Sequence, residues 1–387
     1  MTEDRISSTH PQIPPTTEEA RLLRLRLLRS RRVGAITYHR LIREHGTAEA
    51  ALDALPDIAR AAGVSRYTIC PQDIAAKELE DGRATGARPI FFGDPEYPML
   101  LAQTPDAPPM LWALGRTELL ATPSVAVIGA RNASSLGLRM AGRLASDLGA
   151  AGLTVVSGLA RGIDAAAHEA TLATGTIAVY AGGLRRPYPA QNLSLAENIA
   201  KQGLCLSEQP PNMEPRARHF PARNRIISGL VRAVIVVEAA AKSGSLLTAR
   251  MALDQGRDVL AVPGHPFDAR AAGANILIRD GAPLVRDAED VLEVLNAAQA
   301  LRPAMPDPSP ERATSRSEAQ QPATARSLQD TAALHSEILN RLGPSPLSED
   351  QLCRDLATVP AKLTPALLDL EMSGAITRMS GGLLSKN

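Results

Sequence analysis

Ser124–Gly137 reads SVAVIGARNASSLG, an apolar run, then a glycine-led loop, then the start of a helix-patterned stretch. Val125–Ile128 shows no polar alternation, so as a strand it is buried on both faces, the mark of a parallel sheet. The unit recurs downstream. LTVVSG, TIAVYAGG, LCLSE, AVIVVEA and DVLAVPG repeat the apolar run, and LRMAGRLASDLGAAG, AAAHEATLATG and LLTARMALDQG lie between as helical stretches. Strands alternating with helices in this way give an α/β, doubly wound, Rossmann-like parallel sheet. RPIFFGDPEYP and PPMLWALG, just upstream, read as short strands extending the same domain.

Either side of this domain the pattern changes. Residues 1–17 are polar and proline-bearing and are expected to be disordered. Residues 18–83 place leucines at helical spacing with breaks at Gly34 and Gly46, as in SAM or helix-hairpin-helix packing. Arg21, Arg24, Arg26, Arg29, Arg31 and Arg32 form a basic run there, read either as a DNA-backbone contact or as a solvated helix face. The Rossmann-like domain is expected over 84–297. A Pro/Ser/Ala/Gln-rich linker follows over 298–330, too poor in apolar residues to order itself. Residues 331–387 contain three helical segments and two short strands around Gly381-Gly382, the outline of a winged helix.

Composition narrows the class. With 44% hydrophobic residues in 387 the chain can bury a large core, and with 3% aromatics that core is aliphatic. A formal net charge of +1 means that any basic surface is local. Cys70, Cys205 and Cys353 are far apart with no C-x-x-C, which fits a reducing cytoplasm and argues against a zinc cluster. No apolar run approaches the roughly 20 residues of a membrane span, so a cytoplasmic protein without a membrane partner is expected.

In an open parallel sheet the ligand sits beyond the carboxyl ends of the strands, so the residues following each strand are read together. They are Gly129, Ala130, Arg131 and Ser134 after the first; Ser157, Gly158, Arg161, Gly162 and Asp164 after the second; and Gly182, Gly183, Arg185, Arg186, Tyr188 and Asn192 after the third. Glu208 follows the fourth, with Phe220, Arg223, Asn224 and Arg225 beyond it. Glu238, Lys242, Ser243, Gly244, Ser245 and Thr248 follow the fifth. Glycines let backbone N–H groups reach an anion, helix N-termini add partial positive charge, and arginine forks match phosphate oxygens. So many cations along one sheet edge exceed what a mononucleotide needs and fit a nucleic-acid strand. Asp164 and Ser134 also read as helix caps. His168, one turn after Asp164, reads as a local partner of it rather than a catalytic base, and Glu208 as a structural carboxylate.

VAVIGARNAS, VVSGLARGIDAAAH, TIAVYAGGL, YPAQN, SEQP, HFPARNRIISGL, VIVVEA, SGSLLTARMALDQGRDVLAVPG and GANILIRDGA together resemble the DprA/Smf family of DNA-processing proteins. The resemblance covers essentially the whole chain and is densest from Val125 to Ala282. It implies a protein, dimeric in the family, that binds and protects single-stranded DNA and helps load RecA recombinase onto it during natural transformation, with no catalytic residue, cofactor or metal. The family's G-S-R-x-x-S phosphate loop falls on Gly129, Ala130, Arg131 and Ser134, with alanine where a serine hydroxyl is usual. Its F-P-x-R-N-R segment falls on Phe220, Pro221, Arg223, Asn224 and Arg225, which the resemblance makes base-stacking and backbone-gripping residues.

A second class is a nucleotide-binding hydrolase of the phosphoribohydrolase (lysine-decarboxylase-like) type. Its P-G-G-x-G-T-x-x-E pattern is missing from KSGSLLTA, which lacks both the paired glycines and the following glutamate. An NAD-dependent oxidoreductase would need G-x-G-x-x-G and a downstream ribose-binding acid, and neither is present.

Overall fold

The structure, a computed structural model, describes residues 17–64, 66–300, 328–342, 347–356, 358, 360–379 and 383–386. The tail expected over 1–17 lies outside the described residues except for Thr17, and so does most of the expected linker. At the edges of the expected linker, residues 298–300 belong to a helix ending at Ala300 and residues 328–330 to one beginning at Leu328.

Four helices open the described chain: α1 (Glu18–Arg29), α2 (Ala35–His45), α3 (Ala48–Ala61) and α4 (Gln72–Arg83). Thr17 and Thr47 cap α1 and α3, each accepting a hydrogen bond from the N–H three residues on. Strand β1 (Arg88–Phe91), the short helix α5 (Met99–Ala102) and β2 (Met110–Gly115) lead into the alternating region. There β3 (Ser124–Ile128), α6 (Ser135–Ala150), β4 (Thr154–Ser157), α7 (Ile163–Ala170), β5 (Thr176–Val179), α8 (Leu193–Gln202) and β6 (Leu204–Ser207) follow in turn. Then come α9 (His219–Leu230), β7 (Ala233–Val236), α10 (Gly244–Asp254), β8 (Asp258–Ala261), α11 (Ala272–Arg279) and α12 (Ala288–Ala300).

These eight strands form one sheet in the order β1-β2-β6-β5-β4-β3-β7-β8. The six strands from β3 to β8 pair in parallel, while β2 lies antiparallel to β6 and β1 to β2. β3 to β7 are buried along their whole length, as runs without polar alternation require. Leu144 and Leu148 of α6, Ile163 of α7 and Val291 of α12 cover one face. Ile226 and Leu230 of α9 and Ala249 and Ala252 of α10 cover the other. From β3 the chain winds outward through β4, β5 and β6, then returns to place β7 against the free side of β3. Strand order reverses between β3 and β7, and the crevice at that switch point is where such sheets take ligands.

Three arginines of the basic run, Arg24, Arg26 and Arg29, turn toward the protein, while Arg31 and Arg32 beyond α1 are exposed. Arg24 donates to the carbonyl of Phe92, Arg26 to that of Cys70, and Arg29 forms a partly buried pair with Glu78 at 2.7 Å while also reaching the carbonyl of Glu208. Glu78 further accepts from the indole N–H of Trp112, the fully buried single tryptophan. The arginines therefore fasten the helical module to the sheet domain. At the other end α13 (Leu328–Arg341), β9 (Leu347–Ser348), α14 (Glu349–Asp355), α15 (Pro360–Ser373), β10 (Ile376–Arg378) and β11 (Leu383–Lys386) build the winged helix, with β11 between β9 and β10.

Candidate nucleic-acid interface

A cavity of about 530 Å³ opens at the switch point. Gly129, Ala130, Arg131 and Asn132 after β3 line one side, and Ser243, Gly244, Ser245 and Thr248 at the start of α10 line another. Phe220, Pro221, Arg223 and Asn224 of α9 form a third wall, joined by Ala160, Asp164 and Arg270. The Arg131 guanidinium lies over the Phe220 ring at 5.3 Å from its centroid, a cation–π contact that leaves both groups facing the cavity. Tyr188 meets Phe220 edge-on at 5.8 Å, and Gly158, Arg161, Tyr188 and Pro189 form a smaller recess behind this pair.

Of the helix N-termini at this edge, those of α6 and α10 differ in what fills them. At α6, Ser134 donates its backbone N–H to Glu238 at 2.9 Å and its hydroxyl to the same carboxylate, while its Oγ accepts from Gly137 N at 2.9 Å. A carboxylate from the end of β7 thus sits where an anion was expected, and Ser134 is a cap. At α10, Ser243 is the N-cap residue but no cap hydrogen bond comes from its side chain, which is shared instead with Ser245 at 2.7 Å. A Cβ added at Gly244 would meet open space. The amides of Gly244 and Ser245 at the start of α10 therefore keep the partial positive charge of a helix N-terminus.

The loop after β4 is built for shape. Asp164 accepts from Gly158 N at 3.0 Å and Ala160 N at 3.3 Å, so these amides are spent. Asn192 donates to the carbonyls of Leu159 and Ala160, and Ser157 to that of Val127. Leu159 is held in the left-handed region at φ 56°, a conformation a branched side chain takes only under constraint. Gly158 has another reason: a Cβ there would fall on the Arg223 guanidinium. Gly162, at φ 77°, lets this loop touch the carbonyls of Ala130 and Arg131.

His168 is not the partner of Asp164. Its Nε2 accepts from Leu159 N at 3.3 Å, and its Nδ1 meets Thr176 Oγ1 at 2.7 Å. The Thr176 hydroxyl spends its proton on Val155 O, so Nδ1 carries the ring proton and the imidazole is neutral. Burial, with Arg223 adding repulsion, brings its pKa down to about 3.

The two arginines of the α9 motif differ. Arg223 reaches the cavity wall, donates to Val179 O at 2.9 Å and keeps its Nε without a partner. Burial lowers its pKa to about 10 against the pull of Asp164, so it stays charged at neutral pH. Burial pushes the Asp164 carboxyl upward, and Arg223 opposes that rise. Arg225 does not reach the cavity. Its guanidinium is buried, bound through Nη2 to both oxygens of Glu208 at 2.6 and 2.7 Å, and paired with Asp106. Burial opposes its charge, and the two carboxylates outweigh that and raise its pKa.

Of the expected site residues, the structure gathers Gly129, Ala130, Arg131, Phe220, Arg223, Asn224, Ser243 and Gly244 at the cavity, and Gly158 and Arg161 at the recess. It does not bring Ser134, Ser157, Gly182, Gly183, Arg185, Arg225 or Lys242 to either lining, and Gly162 lines a separate groove between α6 and α7. Gly182 and Gly183 are buried against the 210–215 segment, with Gly183 N donating to Met213 O. Arg185 and Lys242 are exposed elsewhere, and Arg186 pairs with Glu214 at 3.2 Å. Arg270 went unread in the sequence, although it lies in the loop after β8, where the strand-end rule applies equally.

The carboxylates beside the cavity are all engaged: Asp164 by two amides and Arg223, Glu238 by Ser134. Among the described residues no group of three His, Cys, Asp or Glu could hold a metal, and no helix is long and apolar enough to cross a membrane.

Comparison with known proteins agrees along the chain. Residues 18–80 match the DprA-like N-terminal HHH domain, 88–296 the family described as DNA recombination-mediator protein A, and 321–382 the DprA winged helix domain. DNA processing protein DprA of Bacillus subtilis is 44% identical over 216 residues, 55% of this chain and 73% of that one. The X-ray structure of DNA processing protein A from Streptococcus pneumoniae superposes with a TM-score of 0.59 at 35% identity, covering 72% of this chain and 98% of that one. DNA processing protein A from Helicobacter pylori, solved for its single-stranded DNA binding mode, gives a TM-score of 0.51 at 30% identity over 55% of this chain and 96% of that one.

Proposed function

Because the chain belongs to the DprA/Smf family, we propose that it binds single-stranded DNA across the cavity between β3 and β7, protects it, and passes it to RecA recombinase. The observation that carries this is the Arg131–Phe220 pair facing the open N-terminus of α10. A guanidinium and a helix end hold phosphates, and the phenyl ring offers a face for a base. Stacking serves only unpaired bases, so a single strand is preferred to a duplex. The Helicobacter pylori relative is described by its single-stranded DNA binding mode, which supports this choice of ligand. In the family's setting the protein acts in the cytoplasm as a homodimer, during natural transformation and DNA processing, as a binding protein rather than an enzyme.

Titrating the protein with single-stranded DNA, duplex DNA and nucleotides over a salt series tests this. Single strands should bind tightest, with log affinity falling linearly in log salt as counterions are released. Equal affinity for single strand and duplex, or insensitivity to salt, counts against it. RecA transfer is tested separately, by whether the protein shortens the lag of RecA filament growth on a pre-coated single strand.

A further inference from the structure

The loop 263–271, between β8 and α11, leaves the sheet one strand beyond β7 and sends Arg270 to the cavity wall. It also holds Phe267, one of four phenylalanines in the chain, 94% exposed. That exposure is enforced by an ordered loop. Gly264 N donates to Asn275 Oδ1 at 3.1 Å, and Asn275 Nδ2 returns a bond to Gly264 O at 3.0 Å. Within the loop, Asp268 N donates to His265 O and Ala271 N to Asp268 O, both at 2.9 Å. Asp268 binds the Arg270 guanidinium at 3.0 Å, and Phe267 N donates to His265 Nδ1. The His265 ring lies 5.7 Å from the phenyl ring, tilted by 35°.

The ordered loop holds the phenyl ring out in water, where its apolar face is open to cover by a ligand. The surroundings say which kind. Arg270, three residues on, lines the cavity with its guanidinium bound by Asp268, so a single ordered loop carries both a cavity-wall residue and the exposed ring. A strand leaving the cavity on the Arg270 side has this ring on the same loop. We infer that Phe267, with His265 beside it, is a second stacking platform, for a nucleobase of the single strand as it leaves the cavity. This rests on the single-stranded DNA reading above.

Phe267→Trp gives a direct test, because the native Trp112 is fully buried and a DNA-dependent change in indole emission then reports on position 267. A single strand of about 20 nucleotides, longer than the roughly 4–16 that one OB-type single-strand-binding fold covers, should quench that emission. An abasic strand of the same length, keeping the phosphates, should bind through the cavity without quenching. Phe267→Ala should weaken binding of the normal strand roughly five- to hundred-fold and leave the salt slope unchanged. If the wild type binds the strand and Arg131→Ala weakens it, yet the indole is silent or Phe267→Ala binds normally, this inference fails alone. Quenching by the abasic strand equally overturns it. If the wild type binds no single strand, both readings fall. A shift in sedimentation of Phe267→Ala without DNA would assign the ring to a protein interface instead, also against the inference.

Discussion

Arg223 and Arg225 stand two positions apart on α9, which turns their side chains about 200° from each other, and this separates their work. Arg223 faces the cavity, and Arg225 faces Glu208 and Asp106 in the core. The motif that contains both looks uniform in the sequence because a linear pattern carries no helix face. Arg225→Ala should therefore be a stability variant: it strands two buried carboxylates, a loss of about 3–5 kcal/mol, read as a lower denaturation midpoint. DNA affinity per folded molecule should not change, and a flattened salt slope in a fully folded Arg225→Ala protein would return this residue to the interface. Arg131→Ala should weaken single-strand binding and lower the salt slope by about one unit. Phe220→Ala should cost about 1–3 kcal/mol of binding while the slope stays, and isothermal titration at three salt concentrations separates the two cases.

Whole elements were far more legible than the groups at their ends. Every strand of the parallel sheet could be read from an unbroken apolar run, because burial on both faces leaves that trace in composition. Whether a helix end is free leaves none. The starts of α6 and α10 are both rich in serine and glycine, and what distinguishes them is Glu238, about a hundred residues from Ser134 in sequence and in hydrogen-bond contact with it in space. The amides after β4 were misread for the same reason, since Asp164 and His168 consume them from within α7. His168 ties that element to pH. In the unfolded chain it charges near pH 6.5, and in the folded chain only near 3. Between those values the unfolded state binds more protons, so its contribution to stability is complete above about pH 6.5 and is lost as pH falls through that window. The denaturation midpoints of wild type and His168→Gln should accordingly converge as pH drops from about 7.5 to about 4.5. A constant gap over that range would remove His168 from the account.

At the scale of the molecule the winged helix faces inward. Arg40 of α2 is buried and lies 3.7 Å from Glu349 and 4.0 Å from Glu371 of the winged helix, and Arg378 reaches the same two carboxylates at 3.0 and 3.4 Å. Leu368 of α15 belongs to the apolar cluster of the N-terminal helices, and Arg40 also donates to Thr364 O. The helix that a DNA-reading winged helix would lay in a groove is thus turned toward its own chain, and the acidic residues that make this surface poor for phosphate are the ones that receive Arg40. Burial, reinforced by repulsion from Arg378, lowers the Arg40 pKa, and the charges of Glu371 and Glu349 oppose that fall. Removing the winged helix exposes that part of the N-terminal module but leaves the cavity between β3 and β7 intact, with α12 still packed on α6. A chain ending at Ala300 should therefore keep most of the single-strand affinity, while residues 331–387 alone should bind weakly, because phosphate contacts dominate such affinities and this module offers few free cations among its described residues. Arg40→Ala in the full chain should loosen the contact without weakening DNA binding, seen as faster amide hydrogen exchange in α15 at unchanged affinity. Tight binding by the isolated winged helix, together with loss of affinity in the chain ending at Ala300, would move the DNA grip from the sheet edge to the winged helix.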